Sequence, residues 1–243
     1  MNEMSLRDYY EQDADRFWNP NKGLVGRDLD VYPFMQGLFG SILEYGCGSG
    51  SLLLSLAKED RFSHVIGVDI SNKALSKIKE AYRGDNNLIN KVQLLLTEGD
   101  SIPSIQNESM DVVISVATIE HVINPYIILD ELYRIAKPDA TLICSVPNYA
   151  YIKHVIYLLL GKQPRTGTDE PVENWRQEGW DGMHLHTFTK SSFTALLKDC
   201  GWEPEVWRGA GEKYNRLGFG YLRQKFPGIF SGELIVKCRK VNN

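Results

Sequence analysis

The sequence predicts an α/β fold, a doubly wound and mainly parallel sheet with helices on both faces. Two observations carry that prediction. From residue 42 onward, short apolar runs alternate with longer runs whose apolar residues recur at helical spacing. The first junction of this kind, Leu43-Glu44-Tyr45-Gly46-Cys47-Gly48-Ser49-Gly50, is a glycine-rich turn between a strand-like and a helix-like run. An acid, Asp69, closes the next strand-like run 23 residues after Gly46.

Taken in order, the strands are expected near 42–46, 65–69, 92–96, 111–116 and 141–146, with helices near 51–58, 72–82 and 125–136 between them. Asn124-Pro125 is an N-cap and first-turn pair for the last of these helices, which ends before Lys137-Pro138. Lys190–Cys200 reads as an amphipathic helix stopped by Gly201. Glu203–Trp207 and Glu233–Arg239 read as two further strands. The last of them, arriving by a long connection, can insert antiparallel to complete a seven-stranded sheet. The helix expected over Tyr151–Leu160 is apolar nearly all round, so burial is its expected fate, with a dimer contact or a lipid-like surface as alternatives.

The glycine turn carries chemistry. Without Cβ atoms the backbone can take φ > 0 and let a ligand approach. The helix that follows offers free N–H groups to an anionic ligand end. Asp69, at the carboxyl end of the second strand, is placed to accept hydrogen bonds from a ribose diol. A dinucleotide fingerprint would need its third glycine at position 51, where this chain has Ser51, and the glycine sits instead at Gly50.

With Glu44 just before it, the turn resembles motif I of the class I S-adenosylmethionine-dependent methyltransferases, hydrophobic-(D/E)-x-G-x-G-x-G. The resemblance extends over roughly residues 40–146. Glu98-Gly99-Asp100-Ser101 follows the third strand, where the family places an acid or amide near the adenine amino group. Asp111-Val112-Val113-Ile114-Ser115 matches its fourth strand. Arg134-Ile135-Ala136-Lys137-Pro138 matches its L-K-P-G-G turn, with Asp139-Ala140 replacing the two glycines. The resemblance implies the family's seven-stranded sheet with an antiparallel last strand. It also implies S-adenosylmethionine as cofactor, S-adenosylhomocysteine as product, and a cofactor-binding set of Glu44, Gly46, Cys47, Gly48, Gly50, Asp69, Ile70, Asp100, Ser101, Ser115 and Val116. Ala117-Thr118-Ile119-Glu120-His121-Val122 looks like the small-molecule branch.

A sulfonium methyl is already activated, so the protein must chiefly align a nucleophile with the S–CH₃ bond and exclude water; positioning alone can supply ~7–11 kcal/mol. A hydroxyl acceptor also needs a base, and histidine is best matched near neutrality. His121 lies just past the fourth strand. His184 and His186 end the insertion, and their alternation puts both on one side of an extended segment. These three, with Tyr10 as an aromatic wall for the sulfonium, are the catalytic candidates. One histidine of the pair could instead merely tie the insertion to the sheet. No metal site is expected, because the histidine pair has no clear carboxylate partner.

At 243 residues, 43% hydrophobic and 24% charged, the chain fits one methyltransferase domain over 1–243. Residues 1–40 (Tyr9, Tyr10, Phe17, Trp18, Tyr32, Phe34) would form an aromatic N-terminal lid, 41–146 the cofactor-binding core, 147–187 a substrate-side insertion, and 188–243 the C-terminal helix and strands. A net charge of −4 argues against wide contact with a phosphate backbone. The Pro-Pro motif with which DNA amino-methylating enzymes hold a flipped base is missing after the fourth strand, so the expected partner is a small-molecule methyl acceptor and not nucleic acid. Cys47, Cys144, Cys200 and Cys238 have no paired spacing, and Met1–Trp18 is charged and aromatic. Free thiols in the cytoplasm follow as the expectation. No apolar run approaches the ~20 residues of a transmembrane segment. Monomer and homodimer are both open. The reading is methyl transfer to an oxygen or nitrogen of a metabolite such as a saccharide, nucleotide-linked, quinone or natural-product intermediate. An S-adenosylmethionine-binding module without catalysis and an NAD-dependent oxidoreductase are the alternatives.

Overall fold

A computed structural model describes residues 5–16, 19–20, 23–98, 101–167, 180–210 and 219–241. In chain order the elements are α1 (Leu6–Arg16), α2 (Arg27–Val31), β1 (Gly40–Tyr45), α3 (Ser51–Ala57), β2 (Phe62–Asp69), α4 (Asn72–Ala81), α5 (Asn86–Lys91), β3 (Val92–Leu96) and β4 (Met110–Val116). They continue with α6 (Pro125–Ile135), β5 (Ala136–Pro147), α7 (Ile152–Leu159), α8 (Lys190–Asp199), β6 (Trp202–Gly209), α9 (Phe219–Lys225), α10 (Pro227–Phe230) and β7 (Glu233–Lys240).

The seven strands form one sheet in the order β3-β2-β1-β4-β5-β7-β6. β1 runs parallel to β2 and β4, β2 to β3, and β4 to β5, whereas β7 is antiparallel to both β5 and β6. The expected architecture, with its reversed last strand, is what the chain adopts. Strand order turns around between β1 and β4, and in an open α/β sheet that is where a crevice forms beyond the carboxyl strand ends.

The strands are apolar on both faces because each face has its own core. Leu43, Val113 and Leu142 pack with α6 (Ile128, Leu129, Leu132) and α8 (Phe193, Leu196, Leu197). Ile42, Val112 and Ile143 pack on the other face with α3 (Leu52, Leu53, Leu56), Ile78 of α4 and Leu88 of α5. Local sequence fixes where the helices begin. Ser71 accepts from the Ala74 N–H, Asn124 from the Tyr126 and Ile127 N–H groups ahead of Pro125, and Thr189 forms a reciprocal capping box with Ser192. At the turn between α6 and the core of β5, Asp139 takes φ 62, the left-handed conformation for which the family's pattern has glycine.

The helix expected to be buried is not. In α7 only His154 is buried, while Ile156, Leu158 and Leu159 are exposed, Leu159 at 81%. The helix is fastened through one side. Asn148 accepts from the Ala150 N–H and its carbonyl accepts from the His154 ring, which leaves the apolar stripe outward. All four cysteines are free and buried. Among the described residues, no helix is long and apolar enough to cross a membrane.

Candidate active site

A cavity of about 540 Å³ lies beyond the carboxyl ends of β1, β2, β3 and β4, within the range of small-ligand sites. The glycine turn forms its floor. Gly46, Gly48 and Gly50 have φ of 74, 48 and 73. At Gly46 a Cβ would run into the Thr118 side chain and at Gly50 into Ile78, so the turn is closed on both flanks. The N–H groups of Gly46 and Cys47 donate to the Val68 carbonyl at 2.8 and 3.0 Å, which ties the turn to β2.

Asp69 is buried at the β2 end and borders the cavity. One of its oxygens accepts from the Gly48 N–H at 2.8 Å and the other from the Ser71 N–H at 2.9 Å. Each oxygen keeps a lone pair for a ligand hydroxyl. Glu44 is buried at the β1 end, and its Oε2 has no hydrogen-bond partner among the described residues. Burial, then the neighbouring Asp28 and Asp69 carboxylates, pushes Glu44 well above the usual carboxylate range. Burial also raises Asp69 and Asp28. A cavity crowded by three such acids favours a cationic ligand. S-adenosylmethionine fits this donor set: a ribose diol for Asp69, a sulfonium and an ammonium for the acids, and an orphaned Glu44 oxygen to satisfy.

The other expected cofactor residues divide. Cys47, Gly48, Ile70 and Val116 line the cavity with Glu44, Gly46 and Asp69. Gly50 shapes the turn from behind. Ser101 is exposed, and Ser115 is buried with its hydroxyl unpartnered among the described residues; neither borders the cavity. Asp100 lies outside the described residues, and at the β3 end Thr97 and Glu98 face the cavity.

Of the catalytic candidates, Tyr10 and His121 line the cavity, their rings edge to face at 5.6 Å. His186 turns away from it, and its Nε2 lies 2.9 Å from the Val122 carbonyl and 3.2 Å from that of Ile123, which ties the insertion to the segment after β4. His184 instead meets the His121 ring edge to face at 4.6 Å, and its Nε2 lies 3.9 Å from Glu120 Oε1. The segment is held there because the Leu185 and His186 N–H groups donate to the Glu120 carbonyl at 2.8 and 3.1 Å. The alternation that was expected to aim both imidazoles at the cavity therefore splits them.

Glu120 was not among the expected site residues. It is fully buried, and neither carboxylate oxygen has a hydrogen-bond partner among the described residues. Burial pushes it up to about 8 and pushes His121 down to about 3. Arg27 and Asp28 were also missed. α2 brings both to the cavity rim, where Arg27 pairs with Glu233 at 3.1 Å and the Ser51 hydroxyl donates to Asp28. Nothing local marks them, since only the fold of residues 23–35 against the glycine turn gives them a role. Ala117, bordering the cavity with φ 49, likewise carries a backbone that its sequence does not announce.

Comparison with known proteins agrees with this geometry. The methyltransferase-domain family matches residues 12–205. A human tRNA N(3)-cytidine methyltransferase is 27% identical over 68% of this chain and 56% of its own length. The ubiquinone biosynthesis O-methyltransferase of Hahella chejuensis is 33% identical over 56% of each. The chain thus spans little more than half the length of these relatives. A SAM dependent methyltransferase from Aquifex aeolicus superposes with a TM-score of 0.62 at 17% identity, covering 95% of this chain and 98% of that one, which shows a shared fold. With the methyltransferase-domain family matched over residues 12–205, most of this chain, the chain belongs to the class I S-adenosylmethionine-dependent methyltransferases.

Proposed function

We propose that the protein transfers the methyl group of S-adenosylmethionine to an oxygen or nitrogen of a small metabolite. The observation that carries this is the acid-crowded cavity at the strand-order reversal, with Asp69 fastened to the glycine turn and Glu44 left with an unsatisfied oxygen. Asp69 would hold the ribose and Glu44 and Asp28 the cationic end. Ser5, Leu6, Arg7 and Tyr10 of the N-terminal segment would close over the acceptor as a lid. The lid supports a small acceptor, because it narrows the same side on which a polynucleotide would have to lie. His121 is neutral near pH 7, with Nδ1–H donated to the Met183 carbonyl at 3.1 Å and Nε2 bare.

A second reading, methylation of tRNA, is favoured by the 27% identity to the tRNA enzyme. Calorimetric titration with S-adenosylhomocysteine is expected to show one site, lost in Asp69→Ala with the fold retained. No binding by the unmodified protein sinks the proposal. Radiolabelled methyl transfer into small-molecule extract but not into tRNA is then expected; the reverse result would hand the assignment to the second reading. Binding without transfer to either pool would leave a cofactor-binding module.

A further inference from the structure

Glu120, His121 and His184 converge on one point behind the cavity-lining His121, each offering one donor atom, with all three within 4.8 Å of one another. Both His121 Nε2 and His184 Nε2 lie 3.9 Å from Glu120 Oε1. No proton explains that separation, because 3.9 Å is too long for a hydrogen bond. A charged or neutral carboxyl that is fully buried with both oxygens unpartnered is costly, and such a group calls for an explanation.

The far side of each ring supplies one. His121 Nδ1 is 3.1 Å from the Met183 carbonyl, which can only accept, so the proton sits on Nδ1 and Nε2 is a bare lone pair. His184 Nδ1 is 2.7 Å from the Thr166 hydroxyl, and that hydroxyl donates to Asp181 at 3.0 Å, so His184 Nε2 is bare as well. Rings whose outer nitrogen is anchored and whose inner nitrogen is free are how proteins present imidazoles to a metal. The anchor is itself held under strain. Asp181 and Met183, neither of them glycine, take φ of 51 and 62 on either side of Gly182, and Asp181 also accepts from the Thr166 and Gly167 N–H groups at 2.7 and 2.8 Å. Left-handed residues of this kind persist only where the surroundings over-determine them.

We infer that Glu120, His121 and His184 form a binding site for a divalent cation of the zinc class, with one coordination position left for a ligand oxygen. Two imidazoles and a carboxylate suit Zn²⁺ or Co²⁺ and not Mg²⁺ or Ca²⁺, which prefer all-oxygen sets. Metal bonds of about 2.0–2.1 Å in a tetrahedron place donors roughly 3.4 Å apart, so each histidine needs to close on Glu120 by about half an ångström and the two imidazoles, within 4.8 Å of each other, by up to about 1.4 Å. Because His121 belongs to both the cluster and the cavity lining, the ion would stand at the cavity wall. Its open position would take an oxygen of the methyl acceptor; this last role rests on the methyl-transfer reading, whereas the site itself does not.

The test uses the 243-residue chain stripped with a chelator and titrated with Co²⁺, following its visible ligand-field absorption, and with Zn²⁺ by equilibrium dialysis. One equivalent should bind, with affinity reduced tenfold or more in Glu120→Gln and in His184→Ala and unchanged in His64→Ala, a residue remote from the cluster. S-adenosylhomocysteine affinity, measured on the same samples, reports folding of the variants. Metal uptake no stronger than in Glu120→Gln, or displacement of Co²⁺ by equimolar Mg²⁺, would overturn the assignment. Metal bound without S-adenosylhomocysteine would sink the methyl-transfer reading and keep the site. The cofactor bound without metal would do the opposite.

Discussion

At Gly46 the residue scale decides whether a cofactor can bind at all. Its φ of 74 and the Thr118 side chain against its missing Cβ make two separate demands, and the Thr118 rotamer is fixed by a 3.1 Å bond to the Val116 carbonyl. Gly46→Ala is expected to destabilise the protein by about 2 kcal/mol or more, from left-handed strain plus the clash. It should also weaken S-adenosylhomocysteine binding more than tenfold. Gly84→Ala is the matched control, with open space around its position. Thermal melts and calorimetry of the pair check this, and equal losses in both would refute the argument. The need for glycine here was legible in the sequence, but its partner Thr118, 72 positions away, was not.

Among the elements, α1 is anchored to α4 through Glu11 and through a bond from Lys77 Nζ to the Ala14 carbonyl. Glu11 accepts from the Ser71 hydroxyl at 3.1 Å and from the Asn72 and Lys73 N–H groups at 2.9 and 3.0 Å, so a carboxylate of the lid helix sits on the positive end of α4. This anchors the helix that carries Tyr10 to the cavity. Glu11→Ala should remove about 1 kcal/mol of docking, which corresponds to roughly a fivefold weaker S-adenosylhomocysteine affinity. Hydrogen exchange over residues 5–16 should speed up while that of the sheet stays the same. Unchanged exchange in α1 would show that the helix is held by its apolar contacts and the Lys77 bond to the Ala14 carbonyl instead. Composition marked residues 1–40 by their aromatics, yet the anchoring group Glu11 is an unremarkable surface-type acid whose partners, a hydroxyl and two backbone N–H groups, lie 60 or so positions on. The opposite error occurred at α7, where an all-round apolar run suggested burial. The Asn148 and His154 bonds instead hold the helix against the molecule by one side, and hydrophobicity alone does not say which side that is.

For the whole molecule, four raised acids set the response to pH, among them Glu120, which burial pushes up to about 8. Glu44, Asp28 and Asp69 are held above their ordinary values of 4.5, 3.8 and 3.8, in each case first by burial. A raised folded value means that the unfolded chain ionises first. The stability these groups confer is therefore complete below about pH 4 and is lost as pH rises through their folded values. The ligand-free protein should lose stability with rising pH over that window, and Glu44→Gln should flatten the slope. A sulfonium and an ammonium brought beside the acids favour the charged forms, so S-adenosylmethionine binding should release protons. Calorimetry in buffers of different ionisation enthalpy reads that number directly; proton uptake would contradict the acid-cage description.

The sequence by itself determined the sheet, the helices near 51–58, 72–82, 125–136 and 190–200 and the cap at Asn124, because those rest on periodicity and on residues that lie close together along the chain. It also supplied the Glu120-His121 pair without revealing its meaning. Only the tertiary structure decided that His184 joins that pair while His186 turns away, that Arg27 and Asp28 reach the cavity, and that Glu120 is buried without a partner. Each of these depends on contacts between residues about 20 to 200 positions apart. Burial and convergence of that kind are properties of packing, which no local pattern encodes.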